Sequence, residues 1–486
     1  MSSPDHRGSR VATVVEPFRP AFHFTPHRHW MNDPNGLIHH DGVWHLFFQH
    51  NAGGDEWGDI CWGHATSPDL LTWTEHAVAI PAREDEMIFS GSVVHDAADD
   101  SGLGAGGEGP LLAFYTSAYR GHAVHGDDQA QSIAVSTDGG DTWSPYAGNP
   151  VHARGRTDYR DPKVFRFDGT AGAWWVMVAV DADASRLVVN VSDDLVHWRT
   201  TSTFTDDRVP GIWECPDLFA LAVDGDPERV RWVLLLSTNG PDGGAQPVVI
   251  GDFDGETFAA DPEVPVGLLD HGADLYAAAS WNGVPGRRVL VGWMGQAFRA
   301  PTEGWQGAMS VPRELTLVGG PSGPRLASAV VAELAERERP SGELEIDVDI
   351  EVVLAPAGIR QRRIRATLAA GDAEVVDLAV HAGAHERTVL RWLVAEGVLE
   401  LDRTRSGQIP DEALTRPTRA ALPDPESRVL DLDVVLDAMS VEVLAAEGVV
   451  ALSEIVLPGA DSTQVRIAAR GGRAHARVTV SDLVPD

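Results

Sequence analysis

The chain has 486 residues, 43% of them hydrophobic, so it is long and apolar enough to form more than one globular core. It carries 72 acidic against 38 basic residues, a formal net charge of −34, and Lys163 is its single lysine. This charge excludes a surface that neutralises phosphates along the whole chain, so we expect neither nucleic acid nor an anionic membrane as a partner.

The cysteines and the N-terminal residues indicate the cellular location of the protein and whether it binds a metal. Cys61 and Cys215 are the only two cysteines, which is too few for a disulfide framework or a paired Cys/His zinc site. The first 26 residues lack a basic start followed by an apolar stretch and a small-residue cleavage site, and no apolar run reaches membrane-spanning length. We therefore expect a cytoplasmic protein without a metal or cofactor.

The first part of the chain contains a repeated segment in which Ser and Asp precede a closing aromatic residue. The copies are residues 67–73, 136–143, 192–198 and, more loosely, 252–258. Each follows a short β-branched apolar run, as expected for a hairpin with a tight turn. Closing aromatics 55 to 70 residues apart are typical of propeller blades, so roughly 300 residues predict about five blades. The alternative is that Ser-x-Asp turns recur by chance in an all-β chain.

The composition changes near residue 320, where we expect one unit to end. Fourteen of the 15 Trp precede this point and only Trp392 follows it. A helix-like stretch at 327–337 predicts a connector, and the strictly alternating run 343–350 predicts a half-buried strand in a second, aromatic-poor β-sandwich. The predicted domains are an N-terminal extension (1–20), a five-bladed β-propeller (21–322), a linker (323–340) and a C-terminal β-sandwich (341–486).

Three carboxylates stand out from the 72 acidic residues by their local sequence. Asp33 precedes Pro34, which restricts it to an extended conformation. Asp161 lies between Arg160 and a proline, and Glu214 lies between Trp213 and a cysteine, where burial would favour its protonated form. Each also has a simpler explanation: a turn for Asp33, a surface ion pair for Asp161 and a strand end for Glu214.

Together the three carboxylates predict a sugar-cleaving site. They fall in different predicted blades, whose inner strands converge on the propeller axis. A funnel of Trp and carboxylates suits sugars, and one ionised with one protonated carboxyl is the equipment of glycoside hydrolysis. Sequence spacing leaves retention and inversion both open. A zinc-hydrolase His-Glu-x-x-His and a Gly-x-Ser-x-Gly nucleophile turn are both absent from the sequence.

These motifs, taken together, resemble glycoside hydrolase family 32, the group of invertases, levanases and exo-inulinases. The segments that carry the resemblance are residues 29–36, 47–51, 57–58, 62–65, 89–92, 160–162, 213–216, 272–277, 292–294, 312–315, 401–407 and 437–443. One departure is residues 295–300, where the family commonly has Asn-Trp and a longer loop. We expect the aromatic residue of the site's rim to be lost there or supplied by Phe298 or Trp305.

The resemblance implies a five-bladed propeller joined to a β-sandwich and a retaining mechanism, with the two acting carboxyls about 5 Å apart. It implies that Asp33 is the nucleophile, that Glu214 is the acid and then the base, and that Asp161 stabilises the transition state. The implied substrate contacts are Asn32, Gln49, Trp57, Trp62, Phe89, Ser90, Arg160, Cys215, Tyr276 and Trp305.

The expected function is an exo-acting β-fructofuranosidase that releases fructose from non-reducing ends of sucrose, fructo-oligosaccharides or levan- and inulin-type fructans. A fructoside is therefore the expected partner. One alternative is a fructosyltransferase on the same scaffold, including one that forms a difructose anhydride. The other is a catalytically silent fructan-binding propeller, which the presence of all three carboxylates disfavours.

Overall fold

The computed structural model describes residues 16–106, 109–170, 172–240, 243–295, 297–409 and 416–485. Strands dominate these ranges, and the helical elements within them are three 3₁₀ turns, Ala182–Ala184, Ala332–Arg337 and Val394–Glu396. The all-β class predicted from the sequence is confirmed. No helix in the described ranges is long and apolar enough to cross a membrane.

Five mainly antiparallel sheets follow one another between residues 29 and 330. The first contains His29–His40, Val43–Asn51, Cys61–Ser67 and Thr74–Glu75, with Trp305–Gln306 parallel to its first strand. The second contains Glu86–His95, Leu111–Tyr119, Gln129–Ser136, Ser144–Pro145 and His152–Arg156. The third contains Tyr159–Gly169, Gly172–Asp181, Arg186–Ser192 and Arg199–Phe204. The fourth contains Ile212–Ala222, Val230–Gly240, Gly243–Ala245, Pro247–Phe253, Phe258–Ala260 and Gly267–Leu268, and the fifth Leu275–Ser280, Val289–Met294, Ala308–Met309, Arg313–Val318 and Arg325–Val330.

The first strand in sequence of each sheet, which we call its leading strand, lies next to the leading strands of two other sheets. Each leading strand contacts that of the following sheet, and the fifth contacts the first. The single lysine helps to hold three of them, because the buried Lys163 ammonium on the third donates to Ser280 O on the fifth (2.7 Å) and lies 3.2 Å from Asp217 on the fourth. Neighbouring leading strands are therefore held together by buried polar contacts as well as by packing.

The repeat found in the sequence is a repeated hairpin turn. In its first three copies a Ser hydroxyl donates to the Asp carboxylate two residues later, at 3.1, 2.7 and 3.1 Å. The indole N–H groups of Trp73, Trp143 and Trp198 donate to the carbonyl three residues earlier, at 3.1, 3.0 and 2.9 Å. In the looser fourth copy Asp254 accepts two backbone N–H groups of its own turn. The local sequence therefore specified these turns correctly.

The remaining strands form two six-stranded sheets that share one core. One contains Glu338–Val348, Arg362–Ala369, Val429–Leu436, Ser440–Ala445, Val450–Ile455 and Ala474–Leu483. The other contains Val352–Ala355, Val375–Ala382, Thr388–Leu393, Val398–Asp402, Thr418–Ala421 and Gln464–Arg470. Ile364 and Leu432 of the first sheet pack in one cluster with Leu378 and Trp392 of the second, which makes this unit a β-sandwich.

The connector between the two units differs from the sequence prediction. Residues 327–330 belong to the strand Arg325–Val330, which pairs with Arg313–Val318 in the fifth sheet, so a helix-like connector over 327–337 is wrong there. Only Ala332–Arg337 is helical, and the next strand starts at Glu338. The helix expectation fails at 327–330 because a run of Ala, Val and Leu fits a buried strand as well as a helix. Most of the predicted extension 1–20 lies outside the described residues.

Buried ion pairs join the two units. Arg313 of the fifth sheet donates to Asp270 (2.8 Å) and to Glu442 of the sandwich (2.6 Å). The imidazole of His23 lies between Asp437 (2.9 Å) and Glu442 (2.7 Å). Three of the segments that carry the family resemblance, 272–277, 401–407 and 437–443, also meet in this interface, where Arg403 binds Asp274.

Candidate active site

Each leading strand is irregular at a similar point along its length. Its pairing with the second strand of its sheet is interrupted between Met31 and Pro34, Phe89 and Gly91, Arg160 and Lys163, Glu214 and Asp217, and Tyr276 and Ala279. Such bulges bend a strand and redirect its side chains. Within them Asp161, Cys215 and Ala277 have positive φ angles of 63°, 45° and 50°. The bulges therefore place side chains from separate strands in one cluster.

Asp33 lies at the centre of this cluster. Its Oδ2 accepts a hydrogen bond from Ser90 Oγ (2.8 Å) and lies 3.5 Å from Cys215 Sγ, and its Oδ1 accepts from Asn32 Nδ2 (3.0 Å). The Trp30 indole N–H donates to Asn32 (2.7 Å) and fixes that amide. Burial raises the pKa of Asp33, and the hydrogen bonds from Ser90 and Asn32 oppose this rise by stabilising the carboxylate.

Asp161 is held beside Asp33 through Cys215. Its Oδ2 accepts the Cys215 backbone N–H (2.9 Å), and its own backbone N–H donates to Thr116 Oγ1 (2.9 Å). The Arg160 Nε lies 3.8 Å from the same carboxylate. Burial raises the pKa of Asp161 to about 7, although the Arg160 charge acts to lower it. This carboxyl therefore exchanges its proton near neutral pH.

Glu214 is bound by three donors. Arg160 Nη2 donates to its Oε1 (3.1 Å), while Asn239 Nδ2 and the Tyr276 hydroxyl both donate to its Oε2 (2.5 Å each). Burial and the Glu214 charge raise the pKa of Tyr276, so its phenol stays protonated and acts as a donor. Arg160 is fixed in turn by Asp158 (2.8 Å). Because Arg160 contacts both Asp161 and Glu214, the three carboxylates belong to one network.

The structure brings most of the predicted substrate contacts to this network. Asn32, Ser90, Arg160, Cys215 and Tyr276 all touch one of the three carboxylates. They come from all five leading strands, which explains why residues distant in sequence share one site.

Four further predicted contacts lie around Phe89. Gln49 and Trp62 are buried and donate to the backbone carbonyls of Ile88 (3.1 Å) and Phe89 (3.0 Å), so they support the strand that carries Ser90. The Phe89 ring meets the Trp57 ring edge-on at 6.2 Å. Trp57 is 55% exposed, so its ring is accessible to solvent while it lies against Phe89, the neighbour of Ser90.

Trp305, also predicted as a substrate contact, lies apart from this network. Its side chain is only 1% exposed, its indole N–H donates to Glu16 (2.8 Å), and the Arg19 guanidinium lies 4.4 Å from its ring centre. Phe298 is half-buried against the core of the fourth and fifth sheets, beside Arg403 of the sandwich. Neither aromatic residue contacts the carboxylate network, because each packs against another part of the fold.

Sequence reasoning missed Asn239 and gave no separate role to Trp30 and Trp293. The rings of Trp30 and Trp293 meet at 6.0 Å and pack with Tyr276 and Cys215. The buried indole N–H of Trp293 has no hydrogen-bond partner within the part of the chain that the structure describes, so it is available as a donor. Trp293 lay in a segment already singled out, whereas nothing in its local sequence marks Asn239, which comes from the second strand of the fourth sheet.

Residues 23–328 match the N-terminal domain of glycosyl hydrolases family 32, and residues 327–483 match the C-terminal domain of the same family. The protein is therefore a glycoside hydrolase, as its carboxylate site indicates. It belongs to glycoside hydrolase family 32, which confirms the resemblance recognised in the sequence.

Similar proteins cover almost the whole chain. A levanase of Bacillus subtilis is 38% identical over 96% of this chain and 71% of its own length, and an extracellular exo-inulinase of Aspergillus niger is 35% identical over 96% and 95%. The solved exo-inulinase of Aspergillus awamori superposes with a TM-score of 0.91 at 33% identity, covering 97% and 99% of the two chains. A β-fructofuranosidase of Schwanniomyces occidentalis complexed with fructosyl-erythritol gives 0.85 at 26% identity, covering 96% and 97%.

Proposed function

We propose that this protein is a retaining, exo-acting β-fructofuranosidase that releases fructose from the non-reducing ends of sucrose, fructo-oligosaccharides or fructans. The observation that carries the proposal is the single network in which Asp33, Asp161 and Glu214 are held by different partners. Relatives that are levanases and exo-inulinases, and a neighbour solved with fructosyl-erythritol, support the substrate class.

Asp33 is the proposed nucleophile. Its carboxylate attacks the anomeric carbon of the terminal fructosyl unit, and the bond to the leaving oxygen breaks as a covalent fructosyl-enzyme forms. Ser90 and Asn32 donate to the two oxygens of this carboxylate, so they orient it and favour its ionised form in a buried setting.

Glu214 is the proposed acid and base. It gives its proton to the leaving oxygen in the first step, and in the second it takes a proton from the water that attacks the anomeric carbon. Arg160, Asn239 and Tyr276 hold its two oxygens, which fixes the carboxyl against the substrate. Asp161, with a pKa of about 7, is suited to accept from and donate to fructose hydroxyls beside the reacting carbon.

We further propose that the five sheets are the blades of a closed five-bladed propeller, with the site at its axis. The contacts of the leading strands in cyclic order and the bulge that each strand carries support this arrangement. The proposed catalytic domain ends with the strand at residue 330, and the sandwich begins at 338. A cytoplasmic location stays a prediction from the sequence.

Product analysis by anion-exchange chromatography tests the function. Sucrose, a short inulin-type oligosaccharide and levan are each incubated with the wild type, Asp33→Asn and Glu214→Gln. We expect free fructose from the wild type and a loss of about a thousandfold or more in both variants. Longer oligomers or a difructose anhydride in place of fructose would make the protein a transferase, and no product from any substrate would overturn the proposal.

An activated substrate separates the two roles. An aryl β-fructofuranoside has a leaving group that needs no proton, so Glu214→Gln should still release the aryl alcohol in a first turnover while Asp33→Asn should not. A first product observed by NMR as the β anomer supports retention. The α anomer, or equal aryl release by the two variants, would contradict the assigned roles.

A further inference from the structure

The loop of residues 52–60 carries Trp57, whose exposed ring lies against Phe89 beside the carboxylate network. It joins Val43–Asn51 to Cys61–Ser67, and Trp57 is the one exposed large aromatic side chain among the described residues. Its ring contacts Phe89, the neighbour of Ser90, which donates to Asp33. The position of this indole therefore affects whatever enters the site.

Arginines from two other sheets pair with this loop on both sides of Trp57. Arg299, from the segment that follows Val289–Met294 in the fifth sheet, lies 2.8 Å from Asp55 and 3.1 Å from Glu56. Arg120, which follows Leu111–Tyr119 in the second sheet, lies 2.8 Å from Asp59. The loop is thus attached to both neighbouring sheets immediately before and after the indole.

A second contact fixes Arg120 itself, since its other guanidinium nitrogen donates to the Arg83 carbonyl (2.8 Å). The backbone of the loop is tied separately, through Trp30 N–H to Gly54 O (2.9 Å) and Asn51 Nδ2 to Glu56 O (2.8 Å). The backbone bonds therefore fix the first half of the loop, and the ion pairs act on the short segment 55–59 that carries the Trp57 ring.

We propose that Arg299 and Arg120 are positioning residues that hold Trp57 over the site and thereby set the affinity for the fructoside. The proposal rests on the function proposed above. Arg299 comes from the segment 295–300, where this chain departs from the usual family pattern. In this segment the chain supplies Arg299, whose charge positions Trp57 in the loop of the first sheet.

Exposure decides what these ion pairs can do. The side chains of Arg299, Glu56 and Asp59 are 45%, 80% and 77% exposed. Exposed ion pairs contribute little to global stability, and salt screens them. Holding the loop in one conformation needs only a small free energy. We therefore expect the ion pairs to change the KM and its dependence on salt, and not the global stability.

Kinetics of Arg299→Gln and Arg120→Gln test the proposal. A matched control is Arg419→Gln, which removes an equally exposed pair with Glu396 (2.6 Å) in the sandwich. The kcat and KM for sucrose and for a short inulin-type oligosaccharide are measured in about 20 mM and about 500 mM NaCl. At low salt we expect the KM of each site variant to rise about three- to tenfold, with kcat within about twofold of the wild type and no change in the control.

Salt and a double-variant cycle provide the further readouts. High salt should raise the KM of the wild type at least to the value of Arg299→Gln at low salt, because it screens the pairs of both arginines. The double variant Arg299→Gln/Arg120→Gln, which lacks both sets of pairs, should change little with salt. In a Trp57→Ala background Arg299→Gln should have no further effect on the KM, because Arg299 acts through the Trp57 ring, which that background lacks.

An unchanged KM in Arg299→Gln, or effects that add to those of Trp57→Ala, would overturn the positioning role. If the wild type releases no fructose, the proposed function fails instead. In that case the positioning role is tested by calorimetric binding of the same oligosaccharide. Weaker binding by Arg299→Gln than by the wild type would support the role, and equal dissociation constants would overturn it.

Discussion

Asp161 shows what it costs to bury a carboxyl in the site. Its pKa is raised from 3.8 to about 7 by burial, so the folded chain keeps a proton that the unfolded chain releases above about pH 4. The unfolded state therefore gains relative stability as the pH rises from about 4 to about 7, and the free energy of unfolding falls over this window.

Asp161→Asn should remove this dependence, because the amide can still accept the Cys215 N–H but does not titrate. We expect the variant to be more stable than the wild type at pH 7 by about 2–4 kcal/mol and to differ little at pH 4. Denaturant unfolding at both pH values measures this difference in stability. The variant should also lose activity. The same pH slope in the two proteins would show that Asp161 is ionised throughout.

The sequence identified the three carboxylates because each lies beside a proline or a tryptophan in a recognisable motif. It named both Trp57 and Trp305 as substrate contacts, because local sequence does not show which of two tryptophans is exposed. Burial separates them: the first projects from a loop, whereas the second joins the edge of the first sheet under Arg19. Asn239 has no such motif, and only strand pairing brings it to Glu214.

The irregular leading strands determine the site at the scale of elements. Local propensity predicted strands and turns well, because a Ser-x-Asp turn is stabilised by residues within a few positions of each other. The bulges could not be predicted in this way. Asp161, Cys215 and Ala277 adopt positive φ angles although none is a glycine, so the surrounding sheets impose this conformation on them.

Ala277 and Ala278 offer a matched test of this imposed backbone. Both are fully buried, but only Ala277 has a positive φ. Valine at either position adds two methyl groups to a packed core, while at 277 a β-branched residue must also adopt a left-handed conformation. Ala277→Val should therefore be less stable than Ala278→Val by about 1–2 kcal/mol and should lower activity more, because Tyr276 lies in the same bulge. Equal unfolding free energies from denaturant titration would contradict the strain at residue 277.

At the scale of the whole molecule, His23 is central to the contact between the two units. Burial alone would lower the pKa of His23, but Asp437 and Glu442 raise it from 6.5 to about 10. The charged imidazole contributes its full stability below about pH 6.5, and this contribution is lost as the pH rises through about 10.

His23→Gln leaves two buried carboxylates without their cation. We expect it to lower the free energy of unfolding by about 3–5 kcal/mol at pH 6 and to flatten the decline of stability between pH 6 and 10. Denaturant unfolding at pH 6, 8 and 10 measures both effects. His197→Gln is the control, because His197 also pairs with an aspartate (2.7 Å) but is mainly exposed. If the two variants were destabilised equally, the buried pairs would not have the role assigned here.

The sequence by itself determined the all-β class, the repeated hairpins, the two units and the three carboxylates, because short-range patterns and local motifs encode these features. Only the tertiary structure decided that the fifth sheet continues to residue 330, that Trp305 is buried and that Asn239 and Tyr276 hold Glu214. It also decided how arginines of two other sheets hold the Trp57 loop. The strand that ends at residue 330 was missed because its run of Ala, Val and Leu also fits a helix. The contacts of Glu214 and of the Trp57 loop depend on pairings between residues tens to hundreds of positions apart, and such pairings leave no periodic or local signal in one sequence.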